Sequence, residues 1–352
     1  MLIDAKTSGV SLAATDLDVS VVAQHPAIVK TPGSVTLDAK QLYDIVWNLK
    51  HPKVTLVTSE NARVTITCGP EKFSMLATSP EEYPLLPSSE NVAFVSLETR
   101  LLAELIDHTL YAASNDETRY NLNGVYIEES EGHHIRFVAT DGHRLSMMEK
   151  PFPGPAKFLG KGIIVPRKGI AEIRKLCDEA DGSLELGLGE GFLLVRRSDL
   201  VLTARLIDGE FPNYRQILPT TRRIQIFSDR ERLLHAMQHI ALVQSKSEPQ
   251  LVRFTLKGGT LELFATNPDL GEVCELLAVA YQGDRFETAF NARYVLDILS
   301  AMNAKEILIE LTEEPAIPAK FRPTDDPSEM ALIIPIVEYP RPVSWTTKET
   351  RT

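Results

Sequence analysis

Two periods of hydrophobic and polar residues alternate along this chain. "VSLAATDLDVSV" from Val10, "IRFVATDGHRLS" from Ile135 and "LELFATNPDLGE" from Leu261 place apolar residues at alternate positions. That is the period of a half-buried strand, and each runs into Ala-Thr-Asp/Asn, a polar turn and a second strand. "TLDAKQLYDIVWNLK" (residues 36–50), "IVPRKGIAEIRKLCDE" (164–179) and "FNARYVLDILSAMNA" (290–304) start extended and then change to the helical period. In the first of these, Leu42, Ile45, Val46 and Leu49 trace an apolar stripe. "SLETRLLAELIDHTLYAA" (96–113) and "SDRERLLHAMQHIALV" (228–243) predict two further helices, and "VTLVTSENARVTITC" and "LELGLGEGFLLVRR" predict hairpins.

These elements recur as sets. Thr15, Thr140 and Thr266 lie about 125 residues apart, an internal period of domain size. Lys40, Lys168 and Arg293 align at the starts of three helices, and "EEYPLLP", "GEFPNYRQILP" and "VEYPRP" place an aromatic before proline at the same period. The pattern predicts three copies of one α+β domain, short antiparallel strands with helices on one face, over residues 1–88, 89–219 and 220–338, followed by a tail at 339–352. The second and third copies open with a helix. One period upstream of Arg100 falls before Met1, so the first copy is expected to lack its opening helix and first strand.

Composition narrows the class. A chain of 352 residues with 43% hydrophobic and 24% charged residues is an ordinary globular protein with room for several cores. The longest apolar run, "ALIIPIV" (331–337), is too short to span a bilayer, and the start shows no secretory pattern. Cys68, Cys177 and Cys274 are few and scattered, which excludes a disulfide framework and fits a reducing cytoplasm. The net charge of −11 argues against a protein that coats nucleic acid over its whole surface, but allows one with its basic residues gathered on a single face.

Candidate chemistry is sparse. Asp141 and His143 flank Gly142 and invite an acid–base reading, yet the other copies place Asp16 with Asp18 and Asn267 with Asp269 there. The histidine is therefore not shared, and Asp-Gly between strands is a hairpin signal. His235 and His239 have a zinc-compatible spacing on a helix, without a third ligand in view. "GLGEG" (187–191) leads into a strand and lacks the helix N-terminus that a phosphate loop needs. The basic residues at the helix starts repeat across an acidic chain, and a phosphate backbone is the partner that such charge suits.

"DETRYNLNGVY" (116–126), "VATDGHRLS" (138–146), "IIVPRKG" (163–169), "DGEFPNYRQILP" (208–219) and "NARYVLDIL" (291–299) together closely resemble the bacterial DNA polymerase III beta subunits, the sliding clamps. "LAATDLDVSVVA" and "SPEEYPLLP" carry a weaker likeness through the first copy. The resemblance implies three clamp domains per subunit, a closed ring of two head-to-tail subunits around double-stranded DNA, and no catalytic site, metal or cofactor. It implies a cytoplasmic, non-membrane protein whose partners are the polymerase III alpha subunit, the clamp loader and other proteins with clamp-binding motifs. The aligned Lys40, Lys168 and Arg293, with Arg119, Tyr120, Arg167, Arg174 and Lys175 nearby, are the positions expected to face DNA. The peptide cleft maps to Leu122, Thr140, Gly142, His143, Arg144, Leu145, Pro212, Gln216, Ile217, Pro318, Leu332, Ile334, Pro335 and Ile336, with His143 and Arg144 expected to make polar contacts at the rim. The subunit interface maps to Phe73 and Met75 on "KFSML" and to Leu242 and Val243. Gln216 and Val337 stand where the family more often has basic residues. The readings from other classes are a repeat adaptor that binds only proteins and a β-rich enzyme that uses Asp141 and His143.

Overall fold

The computed structural model describes residues 1–59, 61–179, 182–218, 224–244, 250–314 and 317–336. Pro219, Val337 and the tail at 339–352 lie outside the described residues. The chain forms two compact units. The first comprises Met1–Ile106, Asp116–Arg136 and Lys150–Glu210, and the second Asp107–Asn115, Phe137–Glu149 and Phe211–Thr352. The units do not follow the three sequence copies, because backbone ladders run across the copy boundaries.

In the first unit, one antiparallel sheet has the order Gly33–Thr36, Leu2–Lys6, Gly9–Thr15, Val19–His25, Leu200–Arg205, Phe192–Arg197, Ser183–Gly189, Phe94–Glu98. Val19–His25 of the first copy pairs with Leu200–Arg205 of the second, Ser20 opposite Thr203. The second unit repeats this join. Arg144–Pro151 of the second copy pairs with Glu329–Ile333 of the third, Leu145 opposite Leu332, and the sheet continues through Ala319–Pro323, Glu306–Leu311 and Ile224–Asp229.

The helices stand where the period change predicts them. They are α1 (Ala39–Trp47), α2 (Thr99–Asp107), α3 (Arg167–Asp178), α4 (Arg230–Leu242) and α5 (Ala292–Ala301). Asp38, Asp229 and Asn291 cap α1, α4 and α5 by accepting from the backbone N–H of Gln41, Arg232 and Arg293. Such caps satisfy donors that the first helical turn leaves unpaired. Both expected hairpins form: Thr55–Ser59 pairs with Arg63–Cys68, and Ser183–Gly189 with Phe192–Arg197, so "GLGEG" is a hairpin turn.

The first and third copies differ in how well their layers are covered. In the third copy, α4 packs against α5, and Ile224–Asp229 pairs with Glu306–Leu311. Leu299 on α5 is 0% exposed there, whereas Val46, at the same repeat position on α1, is 45% exposed. Tyr43 and Trp47 stack on each other at 5.7 Å and are also exposed, so the apolar stripe read along α1 is only partly buried, through Leu42 and Ile45. Thr55–Ser59 lies at the edge of a three-stranded sheet, with every residue exposed.

Candidate docking cleft and nucleic-acid face

The Ala-Thr-Asp/Asn signature builds the same turn three times. Oδ1 of Asp16 accepts from the N–H groups of Asp18 and Val19, that of Asp141 from His143 and Arg144, and that of Asn267 from Asp269 and Leu270. A side-chain oxygen that caps its own turn in this way explains why Asp or Asn recurs there. Thr140 Oγ1 donates to Arg144 O at 2.6 Å, and Thr15 Oγ1 to Val19 O at 3.1 Å. Gly142 adopts φ 88°, which glycine tolerates without strain. Asp141 is thus committed to the backbone and to Arg144, an arrangement that shapes a turn and leaves it no role as a base for His143.

Arg144 lies under this turn. Its Nε meets Asp141 Oδ2 at 3.1 Å, its Nη1 meets Asp297 Oδ2 on α5 at 2.7 Å, and its Nη2 donates to Tyr111 O at 2.8 Å. The guanidinium also sits 4.4 Å from the Tyr294 ring centre and 5.4 Å from that of Tyr111. The expectation that Arg144 makes rim contacts with a ligand is therefore corrected. Its donors point inward, because two carboxylates and a carbonyl fix them. His143 remains exposed, its ring stacked on Tyr294 at 6.5 Å. Beneath lies a closed polar set: Ser146 Oγ donates to His108 O, and His108 Nδ1 lies 2.6 Å from Glu329 Oε1, both side chains buried. Burial pushes the Tyr111 hydroxyl well above the usual tyrosine range. Tyr111, Tyr294, Asp297, His108 and Glu329 escaped the sequence reading. Tyr294 and Asp297 lie on α5, Glu329 on a strand, and His108 and Tyr111 just after α2, so what unites them shows only once their partners are known.

The apolar cleft positions separate into floor and surface. Leu145 and Leu332, opposite each other in the ladder, are each 1% exposed, and Leu122 and Thr140 are also buried. Ile334 at 43% and Ile217 at 44% are exposed, as are Pro212, Gln216, Gly142 and His143, while Pro318, Pro335 and Ile336 are half-buried. Ile334 N–H donates to His143 O at 3.0 Å, which fixes this isoleucine beside the turn.

Lys40, Arg119, Lys168, Lys175 and Arg293 are exposed, Arg167 and Arg174 are half-buried, and most carry partners of their own. Arg174 meets Asp178 at 2.5 Å and Lys175 meets Glu172 at 2.8 Å, both along α3, and Arg293 Nε meets Asp297 Oδ1 at 2.9 Å along α5. Lys168 reaches Asp16 of the first-copy turn. Burial alone would raise the Asp16 carboxyl, but Lys168 and the N–H groups of Val19 and Asp18 outweigh it and hold it below the usual carboxylate range. Lys168 is raised in turn, chiefly by its hydrogen bond to Asp16. Lys40 and Arg167 occupy the first turns of α1 and α3, and Arg119 and Tyr120 lie on the short 3-10 segment Glu117–Leu122. Exposed ion pairs contribute little, so an arriving phosphate competes with them readily.

At the expected subunit interface one residue is corrected. Glu71–Leu76 is an edge strand, and Phe73 is on its surface, but Met75 is 2% exposed in the first-copy core, packed with Val64 and Ile66. Leu76, exposed on the same strand, was not foreseen. Leu242 is exposed at the end of α4, while Val243 packs partly on the third-copy core. His239 Nδ1 is engaged by Glu275 at 2.7 Å, and the described residues contain no group of three His, Cys, Asp or Glu placed to hold a metal. Among the described residues no helix is long and apolar enough to cross a membrane.

Three repeated domains joined by continuous sheets, with Asx turns beside an apolar floor, define a clamp architecture. Residues 1–87, 96–213 and 215–337 match, in order, the N-terminal, central and C-terminal domains of the DNA polymerase III beta subunit. The beta sliding clamp of Caulobacter vibrioides is 32% identical over 341 residues, covering 96% of this chain and 91% of that protein. That of Escherichia coli is 30% identical over 315 residues, covering 89% and 85%. The DNA polymerase sliding clamp of Bacillus subtilis superposes with a TM-score of 0.89 at 25% identity, covering 96% of this chain and 91% of that one. A Bartonella birtlesii clamp bound to griselimycin superposes with a TM-score of 0.88 at 30% identity, covering 95% of this chain and 90% of that one. The chain belongs to the DNA polymerase III beta subunit family, the beta sliding clamps. Its function is that of a DNA sliding clamp, a processivity factor without a catalytic site.

Proposed function

We propose that two copies of this chain close head to tail around double-stranded DNA and tether a polymerase through the turn at Thr140–Leu145. The single observation that supports the tethering site most is the pinned Asp141 turn with exposed Ile334 hydrogen-bonded beside it, above the Leu145–Leu332 floor. A rigid wall beside an exposed apolar residue suits one or two large anchors of an extended peptide, with affinity of about micromolar, near −8 kcal/mol. The polymerase III alpha subunit, the clamp loader and other motif-bearing proteins would share that site. Lys40, Arg119, Tyr120, Arg167, Lys168, Arg174, Lys175 and Arg293 meet the phosphate backbone, where charge holds DNA without reading sequence. Phe73 and Leu76 of one subunit meet Leu242 of the other, and the ring works in the cytoplasm.

Topology provides the test. Rings loaded on closed circular DNA are expected to stay bound through gel filtration and to leave once the circle is cut. Equal loss from both forms would overturn the encircling reading. Replacing Arg167 and Lys168 with Ala is expected to lower the slope of log affinity against log salt by about 0.9 per lost phosphate contact.

A further inference from the structure

Asp297 is shared between two functions. One carboxylate oxygen holds Arg144 at 2.7 Å, and through it the docking turn; the other holds Arg293 at 2.9 Å, at the start of α5. Arg144 is nearly buried and braced by Asp141, Tyr111 O and the Tyr294 ring. Arg293 is exposed and has Asp297 as its partner along the helix surface. The two cations therefore differ in freedom: Arg293 can leave for solvent at little cost, whereas Arg144 cannot. Tyr294, the residue between Arg293 and the rest of the helix, carries both Arg144 and His143 on its ring.

We propose that Asp297 is a positioning residue that couples DNA contact at Arg293 to the shape of the peptide-docking turn. The inference rests on the cleft and DNA-face assignments made above. When a phosphate draws Arg293 away, the Asp297 carboxylate acts on Arg144 alone and holds it, with Asp141 and the turn, more firmly. A turn held in its binding shape loses less freedom on peptide docking, so the peptide binds more tightly. The size is set by an exposed ion pair, about two- to fivefold in affinity. Linkage requires the peptide to tighten DNA binding by the same factor.

The experiment uses the full chain, a fluorescent Gln-Leu-rich peptide ending in Leu-Phe, and a linear duplex at low salt. Saturating duplex is expected to tighten peptide binding about two- to fivefold, and saturating peptide to tighten duplex binding equally. Arg293→Ala is expected to bring peptide affinity without DNA to the duplex-bound level. Asp297→Asn is expected to remove the coupling while both ligands still bind. Unchanged peptide affinity in saturating duplex, or coupling that survives Asp297→Asn, would overturn the proposal alone. Failure of the peptide to bind the unmodified chain at all would remove the cleft assignment, and this inference with it.

Discussion

The junction of the first and second copies and the junction of the second and third share one backbone frame but carry different side chains. At both, an Asx turn precedes a strand that pairs across the copy boundary. At both, the neighbouring strand returns a hydrogen bond to the turn: Arg205 N–H to Asp18 O at 2.8 Å, and Ile334 N–H to His143 O at 3.0 Å. The side chains on this shared frame differ. Ser20 and Thr203 form the buried pair at the first junction, where Leu145 and Leu332 stand at the second, and Arg205 takes the place of Ile334. The first junction carries a cleft of about 190 Å³ lined by Thr15, Ser20, Thr203 and Arg205 together with Leu17, Leu85, Leu86 and Phe192. A floor of hydroxyls beside a guanidinium rewards an apolar anchor less than the Leu145–Leu332 floor does, so equal architecture carries different chemistry at the two junctions.

The largest expected difference is in stability. Leu145→Ala removes buried methyl groups and should cost about 2–5 kcal/mol, while Ser20→Ala should cost about 1 kcal/mol or less. Hydrogen exchange of Arg144–Pro151 and Val19–His25 reads each junction separately, and equal losses would erase the distinction. Because Leu145→Ala acts through stability, peptide binding is better tested at the surface. Ile334→Asp should weaken the Leu-Phe peptide at least about tenfold, roughly 1.4 kcal/mol, without unfolding, and Arg205→Asp should leave it unchanged. A reversed result in fluorescence anisotropy would move the docking site to the first junction.

A smaller contrast lies in the turns. Leu17 holds φ 81° where Gly142 holds φ 88°. Gly142→Leu should destabilise by about 1–2 kcal/mol, whereas Leu17→Gly should stabilise by up to about 1 kcal/mol, the relief of strain being offset by a freer unfolded chain. Thermal melts of the two variants should therefore shift in opposite directions. The smallest effect concerns acid. The Asp16 carboxyl is lowered in the folded chain, with burial opposing Lys168 and two backbone N–H groups. Its contribution is fully present above the unfolded value of about 4 and is lost as pH falls through the lower folded value. Asp16→Asn should flatten that loss in acid titrations by a few tenths of a kcal/mol, since the pair is exposed.

Much of the frame was legible because its causes are local. Thr15, Asp16, Thr140 and Asp141 bond to backbone within four residues, so any chain with those letters before a strand favours the turn. Asp38, Asp229 and Asn291 cap helices over two or three residues. The resemblance named the candidate positions, but the inward course of Arg144 and the burial of Met75 were not legible in it. Arg144 could serve a surface as well as a core, and its inward course depends on Asp297, 153 residues away.

Sequence alone determined the triplication, the element types, the turns and the caps, since each follows from periodicity or from hydrogen bonds between near neighbours. Tertiary structure decided what those elements cover. Val46 and Leu299 occupy one repeat position with similar chemistry, yet the second is buried because α4 lies against α5. Met75 faces a core and Leu76 faces outward because strand sides alternate and only one side meets the helix layer. The same holds for Asp297, which joins Arg293 to the Asp141 turn only when folding brings Arg144 to its second oxygen.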